Sequence, residues 1–539
     1  MSSIASTAGE GIPWRPCRAD RNRQHERYEH ITDYHSISQH QYPSSPSVTE
    51  MSNEDTSLEI DRMESSEDER RAMSRRVNLK MDIALLPFLS LLYLFNGLDR
   101  SNVGNAETQG FTRDIGASPN DLNFAVSLFF VTFVLLQPPS AAMGRWLGAK
   151  HWLAIIMIGW GAFTIGHAFI RGRSALIAMR LLIGAFEAGF YPTAVAYLST
   201  FYGRYDLGVR LALFYGQYAV AGAFSGSIAY GVFHLRGMAL HNWQYLFIIE
   251  GTLTVVLAII AWIWLPLHVS SAWFLNEEER TFAATRIIND NASWVSHEYA
   301  NNGIEKDKLT RRDLTETCRD WKTWYILVFN ICASVPSQAF SVFLPLVVQG
   351  LGYSSIEANL MSVPPYVCGA IGLYLFALSS DRRKERGYHI VGGIAISLVG
   401  LVITVTATTP KVKYAGLCIL LFGSYVSAPL TMAWLSGNTP ESGKRSLVLG
   451  VNGFGNLAGV IGSQLYKSHY APRYLTPFYA TLGFVAAALS GYLAYRCTLM
   501  EVNRRKQRIL ATKTQDEIDA ERTDDTRYAD RKWTFIYGL

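Results

Sequence analysis

Charged residues are scarce in this chain of 539 residues: Asp, Glu, Lys and Arg make up 17%, against 49% hydrophobic residues. Soluble domains carry about 25% charged residues, and polar loops separate their short helices and strands. The composition therefore argues against a soluble multidomain protein. The formal net charge is only +5, which argues against nucleic acid as a partner and fits anionic lipid at a membrane surface.

Two further absences narrow the class of protein. The first 80 residues contain no apolar segment that could act as a signal peptide, so residues 1–80 are predicted to form a disordered cytoplasmic tail. The six cysteines follow neither a disulfide nor a metal spacing. We recognise no cofactor motif, no metal cluster and no nucleophile with a catalytic partner, and we therefore expect no enzymatic activity.

The chain has long apolar segments instead. Each has roughly 20 residues, the length that an α-helix needs to cross about 30 Å of hydrocarbon. Six precede a polar linker and six follow it, which predicts an all-α membrane protein with twelve transmembrane helices in two six-helix halves. The predicted spans are Ile83–Ala106, Leu122–Met143, Trp152–Ile170, Ala175–Ser199, Leu211–Phe233, Tyr245–Leu267, Thr323–Val348, Ile356–Leu378, Ile390–Thr408, Tyr414–Leu435, Leu447–Tyr466 and Pro477–Tyr495.

This pattern divides the chain into five parts. They are an N-terminal tail (1–80), a first half (81–268), a linker (269–322), a second half (323–497) and a C-terminal tail (498–539). Lys and Arg cluster in the linker and directly outside the first and last spans. Because positively charged segments stay in the cytoplasm, both tails and the linker are predicted to be cytoplasmic.

Ionisable residues inside the predicted spans are the main functional signal, because a charge at mid-membrane costs several kcal/mol unless it is paired or faces water. Arg180 and Glu187 lie two turns apart on one helix face, so one can meet a bound anion while the other takes up a proton. Alternatively, Arg180–Glu187 and Asp99–Arg100 are buried pairs that only brace the bundle. The intramembrane charges are Asp99, Arg100, Arg180, Glu187 and, near a helix end, Glu250.

The second half carries neutral hydrogen-bonding groups in its spans. They include Asn330, Gln338, Trp434, Asn452 and Asn456. This asymmetry predicts that the first half holds the charge chemistry and that the second half shapes specificity.

Three motifs resemble a known family. LDRSNVGNA (98–106) closes the first span, RLLIGAFEAGFYP (180–192) lies in the fourth, and WQYLFIIEG (243–251) opens the sixth. From about Arg76 to Tyr495 the chain resembles the anion:cation symporter family of the major facilitator superfamily, most of all its fungal allantoate-permease branch. The resemblance implies a major facilitator fold that works as a monomer, with proton-driven symport of a small organic carboxylate such as allantoate, nicotinate, pantothenate or biotin.

The resemblance also implies roles for individual residues. Arg100 would bind the cargo carboxylate, Asp99 and Glu187 would carry the coupled proton, and Arg180 would hold the ionised acid or sense cargo. The complete set implied for substrate binding is Arg100, Asn102, Arg180, Gln217, Trp434 and Asn456. No metal or other cofactor is expected, and the plasma membrane is the expected location.

Two other functions stay open at this point. The same fold could export a small acidic metabolite, because gradients and not the sequence set the direction of transport. It could also be a nutrient sensor that binds cargo and signals through its tails, although a pure sensor does not need the acids that couple protons.

Overall fold

A computed structural model describes residues 53–202, 204–235, 239–295, 311–524 and 528–539. Residues 1–71 and 72–539 form two compact units. Of the first unit, the described part is the beginning of a helix, Asn53–Ala84, which covers the last part of the predicted N-terminal tail. The prediction of disorder for residues 1–52 lies outside the described residues.

The second unit is built of helices, and the described residues contain no β-strand. Twelve helical segments match the twelve predicted spans, so the predicted fold class is confirmed. Ten of them are long and apolar enough to cross a membrane, and the third and fifth segments complete the set with 19 and 30 residues. The segments are α1 (Leu86–Glu107), α2 (Pro119–Leu147), α3 (Ala149–His167), α4 (Gly172–Ser199), α5 (Arg204–Phe233), α6 (Asn242–Trp264), α7 (Trp321–Gln349), α8 (Ser355–Arg383), α9 (Gly387–Thr406), α10 (Pro410–Gly437), α11 (Gly443–Leu465) and α12 (Leu475–Leu510).

Helix caps explain why several helices begin before the predicted spans. Ser118 and Asp121 form a capping box at the start of α2, and Pro119 occupies the first turn. Ser354 and Glu357 do the same at α8. These polar residues satisfy backbone N–H groups that lack helical partners, so the helices extend beyond their apolar residues.

Hydrogen bonds join the two halves at one end of the bundle. We call the end where α1 begins and α12 ends the tail side, and the other end the far side. At the far side, Asn123 of α2 donates hydrogen bonds to the carbonyl oxygens of Ser463 (2.6 Å) and Tyr466 (3.0 Å) near the end of α11. Asn359 of α8 donates to Thr108, directly after α1, at 3.0 Å. Hydrogen bonds between the halves therefore hold the far side closed.

The halves also touch closely between α1 and α7 on the far side. A Cβ atom placed on Gly104 of α1 would lie 1.7 Å from the carbonyl oxygen of Val342 in α7. No side chain fits in that space. The glycine therefore permits the two backbones to come into contact, as small residues do between membrane helices.

Three spans are interrupted near their middle. α4 consists of Gly172–Glu187 and Phe190–Ser199, and α10 consists of Pro410–Ser424 and Ser427–Gly437. α11 contains a 3-10 turn, Phe454–Leu457. Such turns inside a helix often mark hinges, and here they lie beside the polar centre described below.

The end of the chain docks on the tail side of the second half. The indole N–H of Trp434 donates to the carbonyl oxygen of Gly538 at 2.7 Å, and Asn438 exchanges two hydrogen bonds with the Gly538 backbone. Asp530 accepts from Lys322 and Lys444, both at 2.9 Å. Burial opposes ionisation of Asp530, but these two ammonium groups outweigh it and hold the pKa of the carboxyl below its usual range.

The linker contacts the helix that precedes α1. Its two described helices are Glu277–Val295 and Arg311–Arg319. Glu279, in the first of them, pairs with Arg76 (3.0 Å) and Lys80 (2.8 Å). The linker is therefore anchored through charged groups to the helix that leads into α1.

Candidate functional site

An arginine–glutamate pair lies in the middle of the first half. The Nε atom of Arg100 in α1 donates to Oε2 of Glu187 in α4 at 3.0 Å. The two residues are 6% and 1% exposed, so little water screens the charges. The other glutamate oxygen, Oε1, is buried without a hydrogen-bond partner. Glu187 therefore holds the guanidinium through one of its two oxygens.

Aromatic rings surround the Arg100 guanidinium. Its carbon lies 4.3 Å from the centre of the Phe133 ring, 5.6 Å from Phe129 and 5.4 Å from Tyr218. Ring faces attract a cation while offering it no competing anion. The position of the guanidinium is therefore fixed, and its preferred hydrogen-bond partner is a carboxylate.

A chain of polar groups continues from this pair into the second half. The Tyr218 hydroxyl of α5, beside Arg100, donates to Gln338 of α7 at 3.4 Å. Gln338 in turn donates to Asn456 in the 3-10 turn of α11 at 3.0 Å. The arrangement joins Arg100 and Asn456, two residues predicted to bind cargo, although they belong to different halves.

Neither carboxyl oxygen of Asp99 takes part in these hydrogen bonds, and neighbouring side chains on a helix are turned by about 100° from each other. Asp99 is 3% exposed, and its carboxyl lies within electrostatic range of Glu187 and of Arg180 in α4. The positive charge of Arg180 interacts with the carboxyls of both Glu187 and Asp99. The hydrogen-bonded pair is thus Arg100–Glu187, which differs from both pairs considered in the bracing alternative.

Asn102 lies on the side of α1 that faces α5 and α6. Its Oδ1 atom accepts from Ser225 at 3.4 Å, and its amide lies near the Glu250 carboxyl of α6. The structure therefore places this predicted cargo-binding residue beside Asp99 and Glu250 and not beside Arg100.

Two residues predicted to bind cargo lie elsewhere. Gln217 lines a groove of about 770 Å³ between α1 and α5, and its amide is 3.5 Å from the Tyr374 hydroxyl of α8. Trp434 bonds the C-terminal tail, as described above. Neither side chain is joined to the Arg100–Glu187 pair by the hydrogen bonds described here.

Sequence reasoning missed the aromatic residues around Arg100, and among them is Tyr218, which follows Gln217 directly. A step of one residue turns a side chain by about 100° on a helix, so the two neighbours face different surroundings. Packing of α5 against α1 decides which of them meets Arg100. The sequence signal for Tyr218 is only its place in a span that carries several other aromatic residues.

The chain matches the family model described as Major Facilitator Superfamily over residues 89–463. A structural likeness agrees with this match. The proton:xylose symporter XylE, bound to 6-bromo-6-deoxy-D-glucose, is similar with a TM-score of 0.58 at 12% identity, over 76% of this chain and 95% of the other. At that identity the likeness concerns the fold alone.

Curated relatives are much more similar in sequence. The MFS-type transporter efuF of Hormonema carpetanum is 34% identical over 463 residues, which cover 85% of this chain and 91% of the relative. The high-affinity nicotinic acid transporter of Saccharomyces cerevisiae is 32% identical over 413 residues, which cover 76% of this chain and 75% of the relative.

Proposed function

This chain belongs to the Major Facilitator Superfamily, and we propose that it is a proton-coupled symporter of a small organic carboxylate that works by alternating access. The observation that carries the proposal is the buried Arg100–Glu187 pair. A guanidinium held by one internal carboxyl at the centre of a membrane bundle is a binding site that a cargo carboxylate can take over.

The exchange of partners would couple cargo to protons. A cargo carboxylate offers Arg100 two oxygens in the fork geometry that guanidinium prefers. Glu187 then loses its bond to Arg100 in a buried setting, where an unpaired carboxylate is costly. It would take up a proton in compensation, so cargo and proton would bind together. Release of both on the other side would restore the pair.

Other observations support the same proposal. The polar chain through Tyr218 and Gln338 to Asn456 would let the second half contact the cargo while Arg100 holds its carboxylate. One relative is named for nicotinic acid, which is itself a carboxylic acid. We also propose membership of the anion:cation symporter family, within its allantoate-permease branch, on the motifs around Arg100 and Glu187.

We further propose that the protein lies in the plasma membrane as a monomer with its tail side in the cytoplasm. The clusters of Lys and Arg in the tails and linker support this orientation. Cys318 in the linker is exposed, so a membrane-impermeant maleimide offers a test. Labelling of Cys318 from outside sealed cells would contradict the orientation.

Transport by purified protein in vesicles tests the proposed function. A panel of radiolabelled carboxylates, nicotinate among them, is offered at pH 5.5 outside and 7.5 inside, with and without a protonophore. We expect accumulation of at least one of them, and its loss with the protonophore. An exporter would carry cargo without accumulation in this direction, and a sensor would bind cargo without carrying it.

Glu187→Gln then tests the assigned mechanism, with exposed Glu278→Gln in the linker as a matched control. Glutamine can still accept from Arg100 but cannot release a proton, so exchange of labelled for unlabelled cargo should persist while pH-driven accumulation is lost. A pair that only braces the bundle would lose both together with its thermal stability. Retained pH-driven accumulation would refute the role of Glu187.

A further inference from the structure

The buried charges of the first half do not balance. Three carboxyls, Asp99, Glu187 and Glu250, are buried together with two guanidiniums, Arg100 and Arg180. Among the residues that the structure describes, Arg100 and Arg180 are the cations whose charges interact with these carboxyls. Because an unpaired buried charge is costly, one of the three carboxyls must carry a proton when cargo is absent.

The carboxyl without a cation is Glu250. Arg100 is hydrogen bonded to Glu187, and Arg180 acts on Glu187 and Asp99. The polar groups that interact with Glu250 are instead the Asp99 carboxyl and the Asn102 amide, and neither of them is a cation. Glu250 is 0% exposed, and both of its oxygens, like Nδ2 of Asn102, are buried without a hydrogen-bond partner. The extra proton therefore belongs on Glu250.

Glu250 lies near the far-side end of its helix. It is eight residues after Asn242, which begins α6 at the far side, and therefore lies about 12 Å along the helix from that end. Asp99 is eight residues before Glu107, the far-side end of α1, and its charge interacts with that of Glu250. Glu187 is fifteen residues into α4, about 22 Å along that helix from its far-side end.

Groups from each helix packed against α6 define the surroundings of Glu250. α1 contributes Asp99 and Asn102, and α5 contributes Ser225, which bonds Asn102. α3 ends at the buried His167, whose ring lies 5.2 Å from Phe247, one turn before Glu250 on α6. From the far side inward, the titratable side chains thus follow the order His167, Glu250 with Asp99, and Glu187.

We propose that Glu250 stores the coupled proton near the far side and passes it to Asp99, on the way to Glu187. In this step the O–H bond of Glu250 breaks and an O–H bond forms on Asp99. When the far side opens, Glu250 regains a proton from solvent there. This role rests on the proposed proton symport, and it adds a third carboxyl to the two predicted from the sequence.

Glu250→Gln tests this role, because glutamine imitates the neutral acid in size and polarity but carries no transferable proton. The readouts are exchange of cargo at equal pH, accumulation driven by a pH gradient, and the pH dependence of initial uptake. We expect normal exchange and a roughly tenfold or greater loss of pH-driven uptake. Glu250→Asp keeps a titratable group and should recover part of that uptake, and Glu278→Gln is the neutral control.

Each other outcome overturns the proposal. Wild-type uptake and pH dependence in Glu250→Gln would show that Glu250 is only a neutral packing group. Failure of the variant to fold would show that Glu250 is held as an anion. A wild-type protein that accumulates no cargo under the pH gradient would instead refute proton symport itself, so the two failures are distinguishable.

Discussion

A substitution at Asn123 can test whether hydrogen bonds hold the far side closed. Asn123→Ala removes both hydrogen bonds that its amide donates to the carbonyl oxygens of Ser463 and Tyr466. The side chain is 3% exposed, so the two oxygens would stay without a partner while the far side is closed. When that side opens, water can replace the lost bonds. The substitution therefore destabilises the closed state alone.

The size of the effect follows from the two bonds. Each hydrogen bond contributes about 1 kcal/mol net, so the closed state should lose about 2 kcal/mol relative to the open state. Because 1.4 kcal/mol corresponds to a factor of ten, the ratio of open to closed molecules should rise by about 30-fold. A state that is too rare to detect in the wild type would become a visible minority.

Spin labels can report this ratio. Arg113→Cys and Arg473→Cys place labels at exposed far-side positions of the two halves, in a protein whose own cysteines have been replaced. Pulsed electron resonance should show a second, longer distance in Asn123→Ala. Asn120→Ala is the matched control, since this exposed residue on the same helix makes one long contact, 3.4 Å to Ser468. An unchanged distance distribution in Asn123→Ala, or an equal change in the control, would refute the reasoning.

Two further predictions concern charged groups. Arg100→Lys keeps the positive charge but loses the fork, so cargo affinity should fall by roughly 10- to 100-fold while thermal stability stays close to that of the wild type; near-normal affinity in a binding assay would assign Arg100 to bracing. Asp530→Asn should release the C-terminal tail and make it a better protease substrate. Because ion pairs lower the pKa of Asp530, docking is stabilised above the unfolded pKa and lost as pH falls through the lower folded one, so in the wild type proteolysis should rise below about pH 4. Tail cleavage that is the same in both proteins and at all pH values would contradict this role of Asp530.

The fold could be predicted because a lipid bilayer permits few structures to cross it. A span needs about 20 apolar residues with its backbone bonded internally, and each such segment is visible in the sequence. The ends were less predictable, since polar caps such as Ser118 with Asp121 lengthen the helices beyond their apolar residues. The interruption of α11 around Asn456 also has no clear signal, because its Gly and Asn residues are equally compatible with a continuous close-packed helix.

The site was predictable only in part, because the sequence shows its charged residues but not how the helices pack. A charge in an apolar span is conspicuous, so Asp99, Arg100, Arg180 and Glu187 could be named from the sequence. Their partners could not, because 87 residues separate Arg100 from Glu187 and only the packing of α1 on α4 joins them. The docking of the C-terminal tail was invisible as well. Its charged composition resembles that of an unpacked tail, and the partners of Asp530 lie on distant helices.

One helix connects the site to the far-side contact. Arg100 and Gly104 are four residues apart on α1 and therefore share a face, with Glu187 bonded to the first and the Val342 backbone packed against the second. Gly104 leaves no space for α1 to shift toward α7 while the far side is closed. If α1 shifts when cargo replaces Glu187 at Arg100, Gly104 shifts with it, and this close contact would slide or separate. Occupancy of Arg100 and opening of the far side are then coupled through a single turn of α1, with no need for a longer pathway.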